Sequence, residues 1–199
     1  GLGDVYKRQV QHMDSLVGVL RKKIEALPFG KDINLIVTSD HGMTDISPER
    51  VVNINDYVKP EWCEVIDGRT PTSIFSKPEY RDSICNALKK AAHIHVWKKE
   101  EIPAELHYGS SDRIGDIVVA PELGWQFTDV ARDTKGAHGY FPQSPDMQVM
   151  FRAIGPDFKR GYISGGFVNV DIYPLLSHLL QIVPEKTDGQ FERIKEILR

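Results

Sequence analysis

The sequence predicts an α/β fold, and three features carry that reading. Apolar residues recur at three- and four-residue steps between Val10 and Leu27, the spacing of one helix face. A continuous apolar run follows at Ile33–Val37, and a second apolar stretch at Gln148–Ile154 precedes another helical segment. Helix, buried strand and returning strand are the parts of a sheet flanked by helices.

The first helix carries Val10, Met13, Leu16, Val17, Leu20, Ile24 and Leu27 on one face and ends before Pro28, because proline removes an amide donor and clashes with the preceding turn. The apolar face needs something to pack against. After a polar turn at Phe29–Asp32, the run INLIV is rich in β-branched residues, as expected of a parallel strand buried on both faces.

The middle of the chain reads as an α+β insertion over Val58–Phe127. Strands are predicted near Cys63–Ile66, Thr72–Phe75 and Ile94–Trp97, with a helix over Glu79–Ala92. His93 and His95 would share the solvent side of the last of these strands. Ile117–Ala120 and Gly124–Phe127 read as a hairpin turned by Pro121 and Glu122. The main sheet resumes at Gln148–Ile154, terminated by Gly155 and Pro156. A helix over Val170–Gln181, capped by Asn169 or Asp171, and a last amphipathic helix over Gly189–Leu198 complete the prediction.

Composition narrows the function. A chain of 199 residues with 41% hydrophobic residues can bury a core. The net charge of -3, spread along the chain, offers no basic stripe for duplex nucleic acid. No stretch approaches the roughly 20 apolar residues of a membrane span, and GLGDVYKRQ lacks the apolar core of a signal peptide. The two cysteines, Cys63 and Cys85, have no paired metal or redox spacing and read as buried free thiols rather than a bridge.

The chemistry-bearing segment is Thr38-Ser39-Asp40-His41-Gly42-Met43. It follows the buried strand directly, so Asp40 and His41 leave its carboxyl end, where open α/β sheets place their ligands. A carboxylate beside an imidazole supplies oxygen and nitrogen donors suited to zinc, and Gly42 lets the backbone turn without a clash. A neutral His41 needs an acceptor on its other ring nitrogen to fix its tautomer. The second piece is Gly136-Ala137-His138-Gly139-Tyr140, a histidine flanked by small residues just before the sheet resumes. Brought to the same strand end, Asp40, His41 and His138 could hold one or two divalent ions. Taken singly, each has an ordinary reading, a turn with a helix cap or a loop histidine.

Read in order, SDHGM, GDIVVAPELGW, KGAHGY and the tail from GPDFKRGY to NVDIYPLLSHLL resemble the nucleotide pyrophosphatase/phosphodiesterase family of the alkaline phosphatase superfamily. The resemblance runs from about Val10 to the end, and SDHGM with AHGY is its specific part. It implies an alkaline-phosphatase-like fold, a mainly parallel sheet flanked by helices with a smaller α+β insertion, incomplete on the N-terminal side. Residues 1–9 do not continue the family pattern and read as a non-native tail, leaving 10–199 as the C-terminal part of a catalytic domain.

In that family two zinc ions lie about 4 Å apart and a threonine attacks phosphorus. By resemblance, Asp40 and His41 match two ligands of the ion that activates the nucleophile, and His138 matches one ligand of the other. The threonine, the remaining ligands and the aromatic residues that hold the nucleobase have no counterpart in this chain, so no catalytic residue is assigned within it. The implied parent is a hydrolase of phosphodiester or pyrophosphate bonds in nucleotides or related small molecules, acting outside the cytoplasm, in the periplasm by its low cysteine count. Its oligomeric state is not indicated. Too few ligands remain here for two four-coordinate sites, which implies weak metal binding and negligible turnover by the chain alone.

Fold alone does not fix chemistry. A phosphomonoesterase, phosphonate hydrolase, sulfatase or phosphomutase shares the superfamily, and a non-catalytic binding domain is the reading from another class. Trp125 and Tyr108 read as packing residues and Asp112–Asp116 as a charged turn feeding a strand. His107 and His178 have no partner at ligand spacing, and Gly165-Gly166 reads as a loop.

Overall fold

The structure, a computed structural model, describes residues 2–127 and 135–199. In chain order its elements are α1 (Leu2–Glu25), β1 (Leu35–Thr38), β2 (Thr44–Asp45), β3 (Val51–Val52), β4 (Cys63–Gly68), β5 (Thr72–Ser76), α2 (Arg81–Leu88), β6 (Ile94–Lys98), β7 (Ile117–Pro121), β8 (Gln126–Phe127), β9 (Gly136–Ala137), β10 (Phe151–Ile154) and α3 (Ile172–Leu179), joined in places by single 3-10 turns. They form two compact units, Gly1–Thr38 with Met150–Arg199, and Ser39–Val149.

In the first unit, α1 begins at Leu2 rather than near Val10, so residues 2–9 are helical too. Its predicted apolar face is only partly used. Val17 and Ile24 are half-buried, while Val10, Met13, Leu16 and Leu20 stay exposed. β1 also departs from expectation. It pairs antiparallel with β10, Leu35 opposite Ile154 and Thr38 opposite Phe151, and Leu35, Ile36 and Val37 are half-buried. An apolar run reports burial, not the direction of the neighbouring strand.

The core of this unit is Phe158, Leu175, Ile194 and Ile197, with Ile36, Phe151 and Ala153 of the strand pair packed against it. α3 is shorter than predicted and is led in by a 3-10 turn, Asn169–Asp171. Asp171 does not cap it. Its fully buried carboxylate accepts from Arg193 Nε at 2.9 Å, Arg193 Nη2 at 2.6 Å and the Gln190 N–H at 2.8 Å. The predicted last helix is replaced by two 3-10 turns, Phe191–Arg193 and Lys195–Ile197. The chain end is held extended instead: Phe158 bridges Leu198, Lys159 N–H donates to the Ile197 carbonyl and Arg199 N–H to the Asp157 carbonyl. Those bonds use the backbone groups a helix would need.

The second unit is built on a four-stranded antiparallel sheet in the order β4-β5-β7-β6. One face is covered by α2 through Ile84, Cys85 and Leu88, which join Val52, Ile54, Val58, Ile74, Ile117, Val119 and Phe127 in a core. Both thiols are free, and burial raises each above its ordinary value; Cys85 is buried and Cys63 half-buried. The predicted hairpin of residues 117–127 does not form. β7 lies between β5 and β6, while β8 pairs parallel with β3, the one parallel pair among the described residues. Asp116, in the charged turn, is structural as predicted. It accepts from the Ser76 N–H at 2.7 Å and from the Ser76 hydroxyl, and pairs with Arg81.

Candidate metal centre

Asp40, His41 and His138 all lie in the second unit. The loop from Ser39 to Met43 is tied to residues 146–147: the Gly42 N–H donates to the Met147 carbonyl at 3.2 Å and the Met43 N–H to the Asp146 carbonyl at 2.9 Å. The Thr44 hydroxyl donates to Asp146 Oδ2 at 2.6 Å. A Cβ on Gly42 would lie 1.9 Å from the Asp146 carbonyl oxygen, so the glycine permits this approach. Asp146 is thus a buttress of the motif that sequence reasoning missed; only its distant pairing with Thr44 marks it.

The next strand brings the second loop in. β2 pairs antiparallel with β9, Thr44 opposite Ala137 and Asp45 opposite Gly136, which sets His138 beside the motif. The rings of His41 and His138 stack, centroids 3.5 Å apart and planes 12° from parallel. All three predicted residues are therefore brought together: Asp40 Oδ2 lies 3.4 Å from His41 Nε2, and His138 covers the His41 ring.

The hydrogen bonds fix the state of His41. Its Nδ1 lies 2.8 Å from the Gly42 carbonyl oxygen, and since a carbonyl only accepts, Nδ1 carries the proton. In the neutral ring the lone pair is then on Nε2, facing the Asp40 carboxylate. Both groups are open to solvent, with the Asp40 side chain largely exposed, and Nε2 lies 3.4 Å from Asp40 Oδ2. The Asp40 carboxyl sits below the usual carboxylate range, chiefly through its own backbone N–H; desolvation is the next effect and opposes it, and His41 and Ser39 add to the lowering.

A metal ion lies in the plane of its imidazole, so two stacked rings cannot aim their lone pairs at one point. Among the described residues no group of three or more His, Cys, Asp or Glu side chains is arranged to hold a metal ion by itself.

The residues set aside find other roles. His93 and His95 do not share a face: His93 precedes β6 with φ of 64° and stacks on Trp125 at 3.7 Å, with Nδ1 2.9 Å from Glu122 Oε2. His95 lies near Trp97 and Phe141. His178 packs on Phe191, as predicted for a helix histidine.

The fold that carries this histidine pair can be compared directly with solved structures. The solved human ectonucleotide pyrophosphatase/phosphodiesterase 5 superposes with a TM-score of 0.87 at 31% identity, covering 96% of this chain and 52% of that one. An inactive variant of the murine protein in complex with AMP superposes with a TM-score of 0.86 at 33% identity, covering 94% of this chain and 51% of that one. The fold is thus alkaline-phosphatase-like. Residues 4–141 match the family model for type I phosphodiesterase / nucleotide pyrophosphatase, and the chain belongs to that family. Among curated relatives, the Bos taurus bis(5'-adenosyl)-triphosphatase ENPP4 is 34% identical over 194 residues, which are 96% of this chain and 43% of that protein. Human ectonucleotide pyrophosphatase/phosphodiesterase family member 5 is 32% identical over 192 residues, 95% of this chain and 40% of that protein. The chain spans less than half the length of these curated relatives.

Proposed function

We propose that the protein to which this chain belongs is a divalent-metal-dependent hydrolase of phosphodiester or pyrophosphate bonds in nucleotides or related small molecules. Residues 10–199 form the C-terminal part of its catalytic domain, with 58–127 as an insertion. Asp40 and His41 hold one ion and His138 its neighbour, both zinc, and the nucleophile is supplied from outside this chain. When bound, the ions supply Lewis acidity at phosphorus and at the attacking oxygen.

The observation that carries this reading is the His41–His138 stack at 3.5 Å, with His41 Nδ1 committed to the Gly42 carbonyl. The chain's own groups then have defined tasks. Gly42 holds the proton of His41 on Nδ1 and leaves Nε2 free, Asp40 supplies negative charge beside it, and the β2–β9 pair sets the spacing between the two histidines. The nucleotide class is supported by family membership and by the AMP complex of the murine relative. The relatives' designation as ectonucleotide enzymes supports action outside the cytoplasm, with the periplasm as the compartment proposed. No helix among the described residues is long and apolar enough to cross a membrane.

Cobalt(II) titration tests the reading. The chain is expected to develop visible d–d absorption from mixed nitrogen and oxygen ligation, weakened in Asp40→Ala and in His138→Ala. Identical spectra for all three proteins would contradict it. The purified chain is expected not to hydrolyse a nitrophenyl nucleotide ester, and chelator-sensitive hydrolysis would show that the nucleophile lies within it.

A further inference from the structure

The three residues that follow His138 are each tied to a different part of the four-stranded sheet unit. Gly139 adopts φ of +94° and backs onto the β4–β5 turn so closely that a Cβ would lie 2.0 Å from the Thr70 carbonyl oxygen. Tyr140 is buried, and its hydroxyl donates to the Trp125 carbonyl at 2.7 Å. The Phe141 ring meets His95 edge-on at 4.8 Å and 85°, and Trp97 at 6.0 Å and 76°.

Alternation along β6 explains the last contact. Ile94 and Val96 pack against the core beneath the sheet, so His95 and Trp97 project from the opposite face. Their rings are near parallel, 5.6 Å apart and 9° from coplanar orientation. Phe141 lies edge-on to both, the geometry the ring quadrupole favours. On the other side of His138, Gly136 and Ala137 are paired with β2. The histidine is therefore suspended between a strand that belongs to the motif and an aromatic lock that belongs to the sheet.

We infer that Phe141, held edge-on by His95 and Trp97, is a positioning residue that sets the His138 ring over His41, so that the four-stranded sheet acts as the template of the candidate centre. The inference gives the inserted sheet a task in the chemistry, and it extends the proposed function without needing a metal for its first test. Phe141 touches neither ring of the stack in this scheme; it acts through the two intervening residues. Ordinary packing would leave the His41–His138 geometry indifferent to the ring at position 141.

The test is an NMR measurement on the metal-free 199-residue chain, reading the cross-peak between the His41 and His138 imidazole protons, with His138→Gln to assign it. Phe141→Ala is expected to abolish the cross-peak, and Phe141→Tyr, which keeps the ring, to retain it. A cross-peak of unchanged intensity in Phe141→Ala overturns the inference. If Phe141→Ala fails to fold, His95→Ala decides, because it removes one exposed ring from the lock: a weakened cross-peak supports the inference and an unchanged one overturns it. Zinc affinity is read in parallel, with a fall of about tenfold expected in Phe141→Ala from the loss of two ring contacts. Wild-type protein with an intact cross-peak but no His138-dependent zinc would refute the metal reading and leave the positioning result to stand by itself.

Discussion

Gly42→Ala isolates how the motif loop is held. The added methyl would lie 1.9 Å from the Asp146 carbonyl oxygen and 2.8 Å from the Asp146 carbonyl carbon and the Met147 Cα. Ordinary contact between such atoms needs about 3.5 Å, so the two segments must part by roughly 1.5 Å. That separation breaks both backbone bonds between them, which now measure 3.2 Å and 2.9 Å. Two hydrogen bonds at about 1 kcal/mol each, together with about 1 kcal/mol of residual overpacking, predict a loss of about 3 kcal/mol. For a chain of this size that corresponds to a fall in Tm of about 6–12 °C. Trp62, Trp97 and Trp125 all lie in the unit Ser39–Val149, so tryptophan fluorescence during thermal unfolding follows the unit that contains the mutation. Asp40→Ala is the matched control: its side chain is exposed, and it should change Tm by less than about 2 °C while weakening metal binding. A Gly42→Ala protein that melts with wild type would refute the close approach on which the loop geometry rests.

Two further predictions concern the supports. Asp171→Asn removes the charge from a fully buried carboxylate but leaves Arg193 partly exposed and able to hydrate, so a cost of about 2–3 kcal/mol is expected, near the lower end for breaking such a pair, read as lost amide-exchange protection in β1 and β10. Burial alone would raise the Asp171 carboxyl, but Arg193 and the Gln190 N–H outweigh it and hold it below the usual range. A depressed carboxyl contributes stability that is present above the unfolded value near pH 4 and is lost as the pH falls through the folded one. Acid unfolding below about pH 4 should therefore be steeper in wild type than in Asp171→Asn, and parallel curves would contradict the pairing. Tyr140→Phe should cost about 1 kcal/mol by leaving the Trp125 carbonyl without its donor, visible as a small fall in the fluorescence-detected Tm; an unchanged Tm would mean that water replaces the hydroxyl.

The site was more legible in the sequence than the sheet around it. An apolar run ending in SDHGM announces a strand end, and a histidine flanked by small residues announces a loop that can approach it closely. Both signals are local and survive translation into structure, since His41 and His138 do stack. Strand partners are not local. Ile117–Ala120 and Gly124–Phe127 do carry strands, yet β7 and β8 pair with strands far away in sequence, because an apolar run reports burial and not which neighbour covers it. The same gap explains the antiparallel β1–β10 pair. The tail failed for a different reason: ten residues with a helical pattern make a marginal helix, and the bridge of Leu198 to Phe158 with the Arg193–Asp171 pair pulls them into turns instead. His95 was readable on the solvent side of a strand, though paired there with His93 rather than Trp97, and Phe141 as its cover was not readable, since it arrives from a loop more than forty residues later.

The motif loop and the His138 loop are proposed to form one metal centre, and zinc content per chain tests this most directly. Wild type, Asp40→Ala and His138→Ala are stripped by dialysis against chelator, zinc is returned, and the retained metal is measured by elemental analysis. Zinc retained by wild type and reduced by each substitution is the predicted result. Zinc retained to the same extent by all three proteins would contradict the convergence of Asp40, His41 and His138 on a common site.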